Sequence, residues 1–131
     1  MLYQILVGVI LIDQVSKWLA SREGVVSLNT GVSFGWFQNL PIPLLIAVLG
    51  LVLGGGVWLA KNHFKDQPLA LGLLIGGGLS NLLDRLLLGG VRDWLAIPGT
   101  RLYNNLADYA IGLAVVLLLW YAWKMPASKK I

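Results

Sequence analysis

The sequence predicts an all-α membrane protein, with four transmembrane helices and a small β element on one membrane surface. Three observations lead there. The chain's 131 residues are 57% apolar and only 12% charged, with a mean hydropathy of +0.76, far from the mix of a water-soluble domain. The apolar residues fall into four runs, roughly 2 to 20, 41 to 60, 67 to 88 and 105 to 123, each near the ~20 residues that cross a bilayer. Between the first two runs the pattern changes from helical spacing to strict alternation. Four spans consume nearly the whole chain, so residues 1–131 are expected to form a single membrane domain.

The first run lacks a basic leader and carries Asp13 and Lys17 where a cleavable signal would be unbroken, so it is expected to stay as a span. Asp13 and Lys17 stand at i and i+4 in the favourable order for a buried structural ion pair. The stretch VSLNTGVSFGW then puts Val26, Leu28, Thr30, Val32, Phe34 and Trp36 on one face and Ser27, Asn29, Gly31, Ser33 and Gly35 on the other. That is a strand period, and its NTG also suits a hairpin turn. Trp36, Phe37, Trp94 and Tyr103 are rings of the kind that sit at headgroup level. Pro41 and Pro43 open the second span, and Asp66 with Pro68 opens the third, where a missing N–H costs little. Gly50 with Gly54, and Gly72 with Gly76, are small-xxx-small pairs that let helices approach closely in lipid.

An even number of spans puts both termini on one side together with the KNHFKD loop. That side holds Lys61, Lys65, Lys124, Lys129 and Lys130, against Arg22, Arg85, Arg92 and Arg101 opposite, and five to four favours cytoplasmic termini. Several chemistries are absent. There is no cysteine for a disulfide, a thiolate metal site or a nucleophile. His63 is the only histidine and lies in the lysine-side loop, so neither a His-assisted nucleophile nor an HExxH zinc site can be assembled, and no metal or cofactor is expected. GLSN at 78 to 81 is not a GxSxG elbow, and no spacing supports a Ser/Lys dyad on Lys17. The net charge of +4 forms no basic stripe with interleaved aromatics, which argues against nucleic acid and for anionic membrane lipids as partners.

The polar residues that remain collect at one interface. Of the six acids, Asp13, Glu23, Asp66, Asp84, Asp93 and Asp108, only Asp66 falls on the lysine side. Asp84 closes the third span and Asp108 opens the fourth, so antiparallel helices bring them to one depth with Asp93 in the loop between. Asn81, Asp84 and Arg85 share a helix face, as do Asn105 and Asp108. One reading is an interhelical clasp, with Asp84 and Arg85 paired locally. The other is a pair of carboxylates that share one proton, one activating water while the other donates, which is aspartic-protease chemistry at a membrane surface.

These motifs add up to a resemblance. The chain resembles the type II (lipoprotein) signal peptidases of bacteria over nearly its full length, through DQVSK at 13 to 17, NTGVSF at 29 to 34, NLLDR at 81 to 85, GGVRDW at 89 to 94 and NNLAD at 104 to 108, in that order. The resemblance implies that Asp93 and Asp108 are the catalytic pair. It also implies that Asn29, Gly31, Asn81, Asp84, Arg85 and Asn105 line or support the site, and that Asp13 and Lys17 organise it. The implied substrate is a diacylglyceryl-modified prolipoprotein cut just before its lipobox cysteine. The implied location is the bacterial cytoplasmic membrane, with both termini inside and the β element and active site at the extracytoplasmic surface. A globomycin-type cyclic peptide is the implied inhibitor, and no metal is needed. The chain departs from the family in having only 11 residues between Lys17 and Asn29, and in Ser80, Leu28 and Trp94. Two other readings stand beside this one: a non-catalytic or minimised membrane scaffold of the same fold, and a proton-coupled transporter subunit using Asp13, Asp84 and Asp108 as relay groups.

Overall fold

The computed structural model describes residues 1–31 and 41–124. Four long helices carry the four apolar runs: α1 (Leu2–Arg22), α2 (Ile42–His63), α3 (Pro68–Leu88) and α4 (Leu106–Lys124). All four are long and apolar enough to span a bilayer. Two small antiparallel sheets lie at the end where α3 stops and α4 starts. One pairs β1 (Ser27–Asn29) with β2 (Val91–Asp93), and the other pairs β3 (Leu95–Ala96) with β4 (Tyr103–Asn104).

The molecule is built inside out relative to a soluble domain. Its fully buried side chains include Asp13, Lys17, Ser80 and Asn105, while Leu51 and Trp123 are about three-quarters exposed, as suits side chains meeting lipid. Helix α3 is the hub, packed along α1 on one flank and α4 on another, with α2 more lightly against it. Its glycines show why. A Cβ on Gly76 would stand 2.8 Å from the Leu6 carbonyl of α1, one on Gly77 2.7 Å from the Ala107 carbonyl of α4, and one on Gly78 2.6 Å from Leu53 of α2. Three consecutive residues thus face three different helices. Gly72 packs in the same way against Ile5 and Leu2. Gly50 and Gly54 behave otherwise: an added Cβ meets nothing within 4 Å. The small-residue pair expected to pack α2 faces open space among the described residues, because α2 meets α3 through leucines such as Leu53 instead.

Helix α3 has Pro68 in its first turn, as expected, but Gln67 rather than Asp66 is the capping residue. It ends at Gly89, whose φ of 74° is a left-handed conformation open to glycine, with its N–H donating to the Arg85 carbonyl. This stop turns the chain straight into β2. Of the strand expected over 26 to 36, only Ser27–Asn29 is strand among the described residues, Val26, Thr30 and Gly31 lying outside it, and its partner is β2, with Ser27 opposite Asp93 and Asn29 opposite Val91. Val32, Ser33, Phe34, Gly35, Trp36 and Phe37 lie outside the described residues. The β3–β4 hairpin was not anticipated, although Pro98-Gly99 between its strands is a turn signal. At the far end of the bundle Phe64 stacks edge-on against Tyr121 at 5.9 Å and closes the lysine side with Leu71.

Candidate active site

The short β1–β2 ladder sets the site. It continues from the end of α3 and presents Asp93, nearly fully buried, toward the start of α4. Asn105 is the residue just before α4, and its side-chain oxygen accepts the backbone N–H of Asp108 at 2.9 Å, a side-chain cap of the helix. The amide nitrogen of the same Asn105 donates to Asp93 Oδ1 at 2.6 Å. One fully buried asparagine therefore ties the two carboxylate-bearing segments together. On the other side of Asp93, Asn29 Nδ2 donates to Oδ2 at 3.1 Å, while Asn29 Oδ1 accepts the Gly31 N–H at 3.0 Å in a tight turn. Asp108 takes its own amide donor from α3, where Asn81 Nδ2 lies 2.8 Å from Oδ1.

Both carboxylates are thus held by neutral amides, and among the described residues no ion pair reaches either. Burial pushes the Asp93 carboxyl above the usual aspartate range, opposed by the hydrogen bonds from Asn105 and Asn29 and by the charges of Lys17 and Arg85. Helix α4 places Asp108 in its first turn, where the exposed N–H groups favour a negative group.

Arg85 is buried and does not pair with Asp84. Its guanidinium donates to the Gly31 carbonyl at 2.8 Å and to the Asn81 carbonyl at 3.3 Å, so it braces the turn after β1 against α3. The local Asp84–Arg85 clasp is therefore corrected. Asp84 is met instead by Arg92, through Nη2 at 2.7 Å, through Nε at 3.2 Å and through the backbone N–H at 3.0 Å, and by Lys17 at 3.4 Å. Arg85 follows Asp84 directly, and adjacent side chains on a helix do not face each other, whereas Arg92 brings side-chain and backbone donors together from the next strand. Asp13 and Lys17 form the expected ion pair at 2.6 Å, both fully buried.

Three participants escaped the sequence reading as site residues: Arg92, described above, Gln14 and Ser80. Gln14 donates to Ser80 Oγ and to Asp84 Oδ1, each at 2.9 Å, and accepts from Arg92 at 2.7 Å. Ser80 donates to Asp13 Oδ2 at 2.7 Å. Gln14 and Ser80 are uncharged, so they carried little signal, but two polar residues inside apolar spans could have been flagged by the same cost argument that flagged Asp13. His63 is exposed at the opposite end of the bundle. Among the described residues no three His, Cys, Asp or Glu side chains are grouped to hold a metal.

A cavity of about 340 Å³ opens between α2, α3 and α4. Its walls are mostly apolar, including Leu49, Leu53 and Leu74, and its polar groups are Asn81, Arg85 and Asp108. An apolar groove with a carboxylate at hand suits a substrate whose greasy part lies in the membrane and whose reacting bond lies at headgroup depth.

Comparisons with known proteins bear on the family and the fold. The family model described as signal peptidase (SPase) II matches residues 5–124. The lipoprotein signal peptidase of Rhodopseudomonas palustris is 33% identical over 155 aligned positions, covering 95% of this chain and 94% of that protein. That of Aquifex aeolicus is 33% identical and covers 97% of this chain and 89% of its own length. Two solved structures, each a bacterial membrane enzyme determined by the in meso method, share the fold. One has a TM-score of 0.79 at 24% identity, covering 98% of this chain and 91% of its own. The other has a TM-score of 0.73 at 21% identity, covering 95% and 94%. The chain belongs to the signal peptidase II family of multi-pass bacterial membrane proteins.

Proposed function

We propose that the chain is the aspartic endopeptidase that removes the signal peptide from diacylglyceryl-modified prolipoproteins, with Asp93 and Asp108 as its acting pair. The observation that carries the assignment of the pair is their setting: two buried or half-buried carboxylates, whose segments are tied together by Asn105 and which among the described residues are held by amide donors with no ion pair. Carboxylates paired with cations stay ionised, whereas two held close by neutral donors can share one proton. The ionised member takes a proton from a water, whose oxygen attacks the carbonyl carbon before the lipidated cysteine. The protonated member supports the developing oxyanion, and then gives its proton to the leaving nitrogen as the C–N bond breaks. Asn29, Asn81 and Asn105 orient the two carboxylates, Arg85 and Gly31 brace the turn beside them, and Asp84 anchors β2 through Arg92. The apolar cavity accepts the substrate's signal helix or acyl chains. The site faces the extracytoplasmic side with both termini in the cytoplasm, in keeping with the lysine-rich far end.

The test mixes purified protein with a diacylglyceryl-modified prolipoprotein in detergent, and follows cleavage on a gel beside the Asp93→Asn variant. A cut before the lipidated cysteine that is lost in the variant is the expected result. Intact substrate with a folded wild-type protein would overturn the reading.

A further inference from the structure

An asparagine side chain presents nearly the same shape with its oxygen and nitrogen exchanged, so packing alone does not decide which end of Asn81 meets Asp108. Lys17 decides it. Its ammonium carries donors only, is fully buried, and lies 2.9 Å from Asn81 Oδ1, which forces Nδ2 toward Asp108 at 2.8 Å. With Lys17 absent nothing holds the Asn81 oxygen, and whenever Asp108 carries the shared proton Asn81 can turn that oxygen to accept the Asp108 hydroxyl, withdrawing the amide donor that sets the carboxylate. The counter-ion of Lys17 acts on the same residue by a second route. Asp13 Oδ1 accepts the Ala107 backbone N–H at 2.9 Å, one residue before Asp108, and its Oδ2 is filled by Ser80 and Lys17. One arm thus orders the donor to the Asp108 carboxylate, and the other pins the backbone that carries it.

A buried ion pair is weak evidence of stabilisation, since an apolar pair of similar volume is often as stable or more so. Keeping one at this place points to geometry instead. We infer that the buried Asp13–Lys17 pair on α1 is the positioning device for Asp108, acting through the Asn81 amide and the Ala107 N–H rather than by touching substrate. This rests on Asp108 being one of the acting pair.

The experiment compares four variants for kcat, KM and thermal unfolding in detergent: Asp13→Leu with Lys17→Met together, Lys17→Gln, Asn81→Ala, and Lys17→Gln with Asn81→Ala. The apolar double variant leaves no buried charge from the pair unpaired. It takes partners from Ser80, Asn81 and the Ala107 N–H, so it is expected to unfold below the wild-type temperature; assayed where it is still folded, its kcat falls by about 10² and KM changes less than about threefold, the signature of a misplaced reacting group. A folded double variant that keeps more than about a third of the wild-type kcat overturns the inference. If the double variant does not fold, the coupling decides. Lys17→Gln should cost at least about tenfold in kcat alone but less than about threefold on top of Asn81→Ala. Equal losses in both backgrounds mean that Lys17 does not act through Asn81, and overturn it too. Asp108→Asn is measured alongside: full activity there sinks the assignment of the acting pair, whereas its loss combined with an active apolar double variant sinks only the positioning role.

Discussion

Two groups of carboxylates sit within the same end of the bundle and are treated in opposite ways. Asp13 and Asp84 are almost fully buried and each touches a cation, Lys17 at 2.6 Å for the first and Arg92 at 2.7 Å for the second. Asp93 and Asp108 are met by asparagine amides, with no cation in contact among the described residues. Charge compensation is what makes a buried carboxylate a structural fixture, because it locks the ionised form and saturates its lone pairs. Amide donors fix position without fixing charge, so a proton can come and go. The difference separates the groups that hold the site from those proposed to work in it, although all four are aspartates near one membrane surface.

The sharpest way to break this contrast is to neutralise each group in turn. Asp93→Asn and Asp108→Asn should each lower turnover by about 10² to 10⁴ while leaving unfolding nearly unchanged, the cost of removing a general acid or base. Cleavage assays paired with thermal unfolding in detergent measure both. Retention of more than a tenth of wild-type turnover by both variants would end the distinction. Asp84→Asn should fail in the other way, by stability. It leaves Arg92 without its carboxylate partner, and an expected loss of about 3 kcal/mol would appear in denaturation curves, with residual activity tracking the folded fraction.

Two smaller effects sharpen the comparison. Gly77→Ala puts a Cβ against the Ala107 carbonyl and must push the start of α4 away from α3. It should cost about 1 to 3 kcal/mol and lower kcat more than KM suffers, whereas Gly54→Ala, with open space around it, should be neutral or slightly stabilising. The smallest effect concerns pH. Because burial raises the Asp93 carboxyl above its unfolded value, the folded state holds that proton to higher pH than the unfolded chain does. Stability therefore falls as pH rises from about 4 through the folded value and then levels off. Wild type should lose stability relative to Asp93→Asn over that window. Parallel unfolding curves across the pH range would show that Asp93 is not held in this way.

Much of this could be read from the chain because it rests on local sums. A run of about 20 apolar residues is a span wherever it folds, and an aspartate inside or beside such a run is conspicuous by its cost. The four helices thus lie within a few residues of their predicted limits, and family motifs mark Asp93 and Asp108. The Asp84–Arg85 pairing fails because consecutive side chains on a helix do not face each other, and the cation that does reach Asp84 comes from another segment, which helical spacing does not reveal. The β1–β2 ladder escapes for the same reason: alternation marks a strand but not its partner.

The sequence by itself determined the four spans, the depth at which polar residues gather, and the family. Only the tertiary structure decided which carboxylates receive cations and which receive amides. That assignment depends on contacts such as Lys17 with Asn81, 64 residues apart, and Asp13 with the Ala107 N–H, 94 apart. Hydropathy adds up along the chain, but a hydrogen bond of about 3 Å depends on how each helix is rotated about its axis, and only the packing of α1 and α4 onto the glycine faces of α3 sets that rotation.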